Sequence, residues 1–215
     1  MKIFGFVIPL ILAMYLGLTG FSVNTDISQG VLSESKAMLE SLGDFSAGFK
    51  YSISNPNMRP VAKAGNIKYK KGKYVISLED QKIFCNGKTL WIYLPEVNEV
   101  NIMSYTEDEG VNVESIFKIY ESSTKSRYDG EVEVHGVACH KIFMAVQSDE
   151  LDYNQAYVWI NKKTKFLEKV VLVDRKQTQT IYEFLDIKTN VGFGDMEFEF
   201  DAKQYKGVDI YDERS

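Results

Sequence analysis

From Phe45 the chain alternates: Phe45, Ala47, Phe49, Tyr51 and Ile53 are interleaved with Ser46, Gly48, Lys50 and Ser52. A period of two places the apolar set on one face of a strand and leaves the other face wet. Strand-like runs follow at Ala62 to Tyr69, Lys73 to Leu78, Gln81 to Cys85, Thr89 to Leu94 and Glu99 to Tyr105. They resume at Glu131 to His135, Val137 to Val146, Gln155 to Ile160, Phe166 to Asp174 and Thr178 to Lys188, and the tail adds Met196 to Phe200 and Gly207 to Ile210. Turn-forming residues separate them, among them Asn55-Pro56-Asn57 with Pro60, Lys71-Gly72, Glu79-Asp80 and Asn161 to Thr164. Spacing this short predicts an antiparallel meander.

Two segments follow a helical period instead. Ile27, Val31, Leu32, Met38, Leu39 and Leu42 recur at 3.6-residue spacing, with Asp26 or Ser28 as N-cap and Gly43 suited to a left-handed C-terminal position. Val113, Ile116, Phe117 and Tyr120 predict a second, shorter helix. A sheet of ten or more strands must curl. The expected fold is therefore mainly β (α+β): an unclosed, strongly curved antiparallel barrel, with the helical segments as plug or lid on its concave face. Periodicity alone does not separate a filled core from a lipid cavity.

The stretch Lys82 to Val100 is the densest. Asn86-Gly87 supplies the positive φ angles of a tight hairpin, and Leu90 to Leu94 is a continuous large apolar run, so both faces of that strand need cover. Trp91 and Tyr93 share one face, and Ile92 and Leu94 the other. Either core filling or cavity lining satisfies Trp91 and Tyr93.

Residues 1–22 carry one basic residue, Lys2, then an uncharged run from Ile3 to Leu18, then small and polar residues. This predicts a secretory signal peptide cleaved near Gly20 or Ser22, leaving residues 23–215 as a single domain. The run contains Pro9, is shorter than the ~20 apolar residues of a membrane anchor and lacks a basic stop flank. The formal net charge is −5 and becomes more negative once Lys2 is lost, which argues against nucleic acid as a partner.

An oxidising destination makes Cys85 and Cys139 a possible disulfide, and closing a loop of about 54 residues would contribute about 4 kcal/mol. The competing reading is chemical, because Cys139 adjoins His140 and follows His135. Without Cys-x-x-Cys spacing, and with two histidines in the chain, neither a metal centre nor an enzyme is expected.

Asp44-Phe45-Ser46-Ala47-Gly48-Phe49, Gly65-Asn66-Ile67 with Tyr69-Lys70-Lys71, Asn86-Gly87-Lys88-Thr89-Leu90-Trp91-Ile92-Tyr93, and Met196 to Phe200 with Gly207-Val208 occur in the order and spacing of a known family. The chain resembles LolA, the periplasmic outer-membrane lipoprotein carrier of Gram-negative bacteria, over nearly the whole mature length. The hairpin is close to that family's DGKTLW-aromatic-Tyr pattern. The resemblance implies an unclosed barrel with a lidded hydrophobic concave face, and carriage without chemistry or cofactor. It implies a monomer in the periplasm, acylated lipoproteins as cargo, an inner-membrane ABC transporter as donor and an outer-membrane acceptor.

Phe49, Tyr51, Tyr69, Trp91 and Tyr93 are the candidate lining residues, and Ile116, Phe117 and Tyr120 the candidate lid contacts. Where the family has a functionally sensitive Arg within a basic pair followed by Pro, this chain has Lys70-Lys71-Gly72. Lys71 is thus a lid-latch candidate without the planar fork of Arg, or a solvated turn lysine. The alternatives are a half-barrel for another amphiphile such as a glycolipid, a filled-core sensing or interaction domain, and, last, an enzyme using Cys139, His135 and His140.

Overall fold

In the computed structural model the described residues are 19–55, 57–105, 123–147 and 153–214. The helix α1 (Thr19–Ser41) leads into β1 (Phe45–Asn55), β2 (Met58–Lys70), β3 (Lys73–Leu78), β4 (Lys82–Cys85), β5 (Thr89–Leu94) and β6 (Glu99–Ser104). A second run comprises β7 (Ser123–Val134), β8 (Val137–Val146), β9 (Tyr153–Asn161), β10 (Leu167–Asp174) and β11 (Gln179–Thr189), and two short 3-10 turns precede β12 (Asp209–Asp212). The expected short helix with Ile116, Phe117 and Tyr120 lies outside the described residues.

The twelve strands among the described residues form one sheet in the order β12-β6-β5-β4-β3-β2-β1-β11-β10-β9-β8-β7. It is curled and unclosed, as the fold class anticipated. The two meanders meet at the β1–β11 pair, where Phe49 faces Phe184 and Tyr51 faces Tyr182. A register shift between Ser46 and Gly48, with Asp186 at φ 50°, bends that seam.

Local expectations were met unevenly. The helix is described from Thr19, so Asp26 and Ser28 lie inside it rather than at its N-terminus. Gly43 has no positive φ; its amide instead donates to Asn190 Oδ1 at 3.1 Å. In the hairpin only Gly87 is left-handed, at φ 83°. Asn86 acts through its side chain, whose Oδ1 accepts the amides of Lys88 and Thr89. Pro60 lies within β2 rather than ending a loop, and β7 starts at Ser123, ahead of the run that alternation marked from Glu131.

Met196 to Phe200 is the largest departure. Asp195–Phe198 is a 3-10 turn, not a strand. It belongs to a segment that crosses the outer face of β3, β4 and β5, burying Phe193 and Phe198 against Val75 and Phe84. Tyr205 stacks on Phe200 at 4.6 Å and meets Tyr93 at 4.4 Å. The segment is held first by Asp44, whose buried carboxylate accepts the amides of Val191, Gly192 and Phe193. Lys68 then pairs with Glu197, and Lys70 and Lys73 both pair with Asp195. It ends as β12, parallel to β6, where Asn98 Nδ2 donates to the Gly207 carbonyl at 2.8 Å.

Candidate functional site

The inner face of the curled sheet carries the main apolar cluster. Alternation supplies it: Ile142, Met144 and Val146 on β8 and Ala156, Val158 and Ile160 on β9 point inward, while Phe143, Tyr157 and Trp159 stay half-exposed on the other side. Phe45 anchors the cluster, with Phe166 edge-on at 5.2 Å and Tyr69 tilted at 5.3 Å. The rim is only half-buried. Phe49, Tyr51, Leu78, Ile92 and Tyr182 stand there, and Tyr51 and Tyr182 face each other across the strand seam with ring centroids 5.3 Å apart. Burial pushes the Tyr182 and Tyr153 phenols up to about 12.

A close approach shapes this rim. A Cβ on Gly65 would lie 2.4 Å from the Ser77 carbonyl oxygen, 2.9 Å from Leu78 Cδ2 and 3.1 Å from Phe49 Cζ. Only glycine lets the Phe49 ring lie across β2.

α1 covers the β7 to β10 end of the inner face. Val31 and Leu32 are buried under it, and Met38, Leu39 and Leu42 are half-buried. Its seat is otherwise polar. Ser28 Oγ lies 2.7 Å from Ser126 Oγ, Gln29 Nε2 donates to Ser126 Oγ at 2.9 Å, and Ser35 Oγ donates to the Lys165 carbonyl at 2.7 Å. Glu34 pairs with Lys165 at 2.8 Å, and that hydrogen bond holds its carboxyl below the ordinary range. Below the last turns of α1 a cavity of about 340 Å³ is lined by apolar Met38, Leu42, Phe166 and Ile187 and by polar Asn161, Thr164, Glu168 and Asp186.

Phe49, Tyr51 and Tyr69 therefore lie on the inner face. Trp91 and Tyr93 share a face, as parity required, but it is the outer one, beneath the C-terminal segment. The hairpin strand needed cover on both sides because the two covers are different parts of the chain. Lys71 is exposed in the β2–β3 turn at φ 45° and makes no ion pair among the described residues, whereas its neighbour Lys70 donates to the Phe193 carbonyl at 2.6 Å.

Cys85 and Cys139 are separate, buried thiols not joined to each other, which corrects the disulfide: Cys85 ends β4 and Cys139 lies in β8, on opposite arms of the sheet either side of the β1–β11 seam. Burial, helped by the charge of Glu168, pushes the Cys139 thiol up to about 11, the reverse of an activated nucleophile. Its neighbour His140 points to the opposite face, where the ring nitrogen Nδ1 lies 3.0 Å from the Tyr128 hydroxyl. Among the described residues no three His, Cys, Asp or Glu side chains converge on a metal position. Sequence reasoning missed Asp44, Gly65, Tyr182 and Glu168. Asp44 was visible as the opening residue of a family-like motif, but its amide partners lie about 150 positions away.

An open half-barrel with an apolar inner face, a helix seated on it and a strapped outer face defines a class of binding scaffold. The family model described as "Outer membrane lipoprotein carrier protein LolA" matches residues 75–201, and the chain belongs to that family. An outer-membrane lipoprotein carrier protein of Coxiella burnetii (strain CbuK_Q154) is 24% identical over 132 residues, which cover 60% of this chain and 60% of that relative. Two solved structures share the fold. An uncharacterized conserved protein from Thermus thermophilus has a TM-score of 0.56 at 12% identity, covering 86% of this chain and 99% of that one. The Mycobacterium tuberculosis lipoprotein LppX has a TM-score of 0.56 at 13% identity, covering 79% and 98%.

Proposed function

We propose that this protein is an exported carrier that holds the acyl chains of lipoproteins against the inner face of its half-barrel and moves them through the periplasm from inner to outer membrane. Family membership supports the cargo class, and the half-buried rim of Phe49, Tyr51, Leu78 and Tyr182 is the observation that carries the reading. Burying a methylene contributes about 0.8 kcal/mol, so an acyl chain of ~15 methylenes resists transfer to water by ~12 kcal/mol. A carrier must offset most of that and still let go. A rim of half-buried side chains suits that demand, as does a neighbouring helix that rests partly on Val31 and Leu32 and partly on hydroxyl contacts, because the half-buried contacts are the cheaper ones to open.

In this reading a monomeric carrier receives cargo from an inner-membrane ABC transporter and passes it to an outer-membrane acceptor. Catalysis plays no part. Native periplasm is the place to test it: mass spectrometry of the co-purifying material should find acylated polypeptides, and Phe49→Asp should empty the protein while leaving its circular dichroism intact. Free glycolipid as the sole cargo points instead to a carrier of another amphiphile. No acyl cargo in any extract defeats the proposal.

A further inference from the structure

Glu168 is buried to 8% exposure and lines the cavity under the last turns of α1. A carboxylate removed from water is costly unless a cation or several donors compensate it. Glu168 has one such donor, Asn161 Nδ2, 2.7 Å from Oε1. Asn161 is itself fixed, since its Oδ1 accepts the amides of Lys163 and Thr164 in the β9–β10 turn. Two lysines of that turn are engaged elsewhere, Lys162 with Glu131 at 2.6 Å and Lys165 with Glu34 at 2.8 Å. Among the described residues, Glu168 forms no ion pair and its Oε2 accepts no hydrogen bond. The carboxylate thus faces a cavity whose other wall is Met38, Leu42, Phe166 and Ile187.

We propose that this cavity is a subsite for a primary ammonium group on an aliphatic stem, with Glu168 as its anionic partner. The ammonium would donate to Oε2 and direct its remaining donors toward Asp186 and Thr189 on the same lining, while the stem lies along the apolar wall. Two other cations fit less well. A guanidinium gains most from a free pair of carboxylate oxygens, and Asn161 already occupies one. A divalent metal needs several converging ligands, and the described residues offer no such group. The volume, about 340 Å³, is at the lower end for ligand cavities. The chemistry is shared by a lysine side chain on a polypeptide and by an aminoethyl lipid headgroup. It does not depend on lipoprotein carriage, because neither Phe49 nor Tyr182 lines the cavity.

The test compares hexylamine with hexanol on the full chain at neutral pH, by titration calorimetry and by chemical-shift changes. The amine should bind about tenfold tighter, and the preference should vanish in Glu168→Gln. Hexyltrimethylammonium, which keeps the charge and loses the donors, should bind more weakly than hexylamine. Equal affinity of the wild-type protein for amine and alcohol overturns the proposal without recourse to any variant, and so does a preference that survives in Glu168→Gln. Nα-acetyl-lysine methylamide, which keeps its side-chain amine, and dihexanoyl phosphatidylethanolamine then distinguish the two sources. Binding by the first assigns the site to polypeptide, binding by the second assigns it to lipid, and binding by neither also overturns it.

Discussion

Asp44 Oδ2 lies 2.8 Å from the backbone nitrogen of Phe193, so the residue just before β1 also fixes the start of the segment covering the outer face. Three successive amides converge on this one carboxylate, which belongs to a residue only 5% exposed. Replacing it with alanine leaves buried donors without an acceptor. Asp44→Ala should cost about 3 kcal/mol in urea unfolding. In a Trp159→Phe background Trp91 becomes the sole tryptophan, and its emission should shift to the red as the cover loosens. A native-like emission with unchanged stability would contradict this role for Asp44.

The same cover should respond to acid. Hydrogen bonds from Lys73 and Lys70 hold the Asp195 carboxyl below its ordinary 3.8, and Lys68 does the same to Glu197 relative to 4.5. Both carboxyls are depressed in the folded protein, so their contribution is complete above those ordinary values and is lost as pH falls through the lower folded-state ones. Trp91 emission should hold steady down to about pH 5 and move only at more acid pH. Salt should weaken the attachment, because both carboxylates are exposed. Replacing Lys70 and Lys73 together by glutamine should abolish the Asp195 part of the acid transition.

How legible this was depended on the range of the interaction. Inner residues such as Phe49 and Tyr51 were readable from parity because the alternation of a strand is local. Trp91 and Tyr93 were readable as a pair, but their side of the sheet is decided by Phe200 and Tyr205, more than 100 positions away. Met196 to Phe200 looked like a strand because Met196, Phe198 and Phe200 alternate; yet Phe198 is buried while Met196 is 86% exposed, since a 3-10 turn presents them differently. Glu168 gave no signal at all. A lone glutamate in an apolar run is ordinarily wet, and only the bulge at Leu167/Lys169 turns it toward the cavity.

Two glycines should answer alanine in opposite directions. Gly65→Ala brings a methyl to within 2.4 Å of a backbone oxygen and onto Phe49, so it should destabilise by about 2 kcal/mol and disturb the inner rim. Gly30 lies within α1 with nothing within 4 Å of an added Cβ, so Gly30→Ala should stabilise by about 0.5–1 kcal/mol. Thermal melts of the two variants beside the wild type check both signs.

The thiols offer a direct check on the corrected disulfide. Cys85 and Cys139 are both 0% exposed, and the Cys139 thiol is pushed up to about 11. Iodoacetamide at about pH 8 should label neither in the native protein and both in denaturant without reductant. Reductant should leave the melting temperature unchanged. A thiol pair that appears in denaturant only after reduction would restore the disulfide.

The hydroxyl pair between Ser28 and Ser126 provides a way to ask whether α1 moves. Their oxygens lie 2.7 Å apart, α1 to β7, close to the ~2.05 Å that two sulfurs require. The double variant Ser28→Cys/Ser126→Cys should form a disulfide spontaneously in air. Closing so long a loop stabilises by about 5 kcal/mol in the chain-entropy model, so the oxidised form should melt higher than the reduced one. If cargo enters by displacing the N-terminal half of α1, loading of a fluorescent acyl peptide should be slow in the oxidised form and return to the wild-type rate on reduction. Equal rates in the two forms would mean that entry does not require displacing the N-terminal half of α1. The native thiols do not confuse the result, since both are buried.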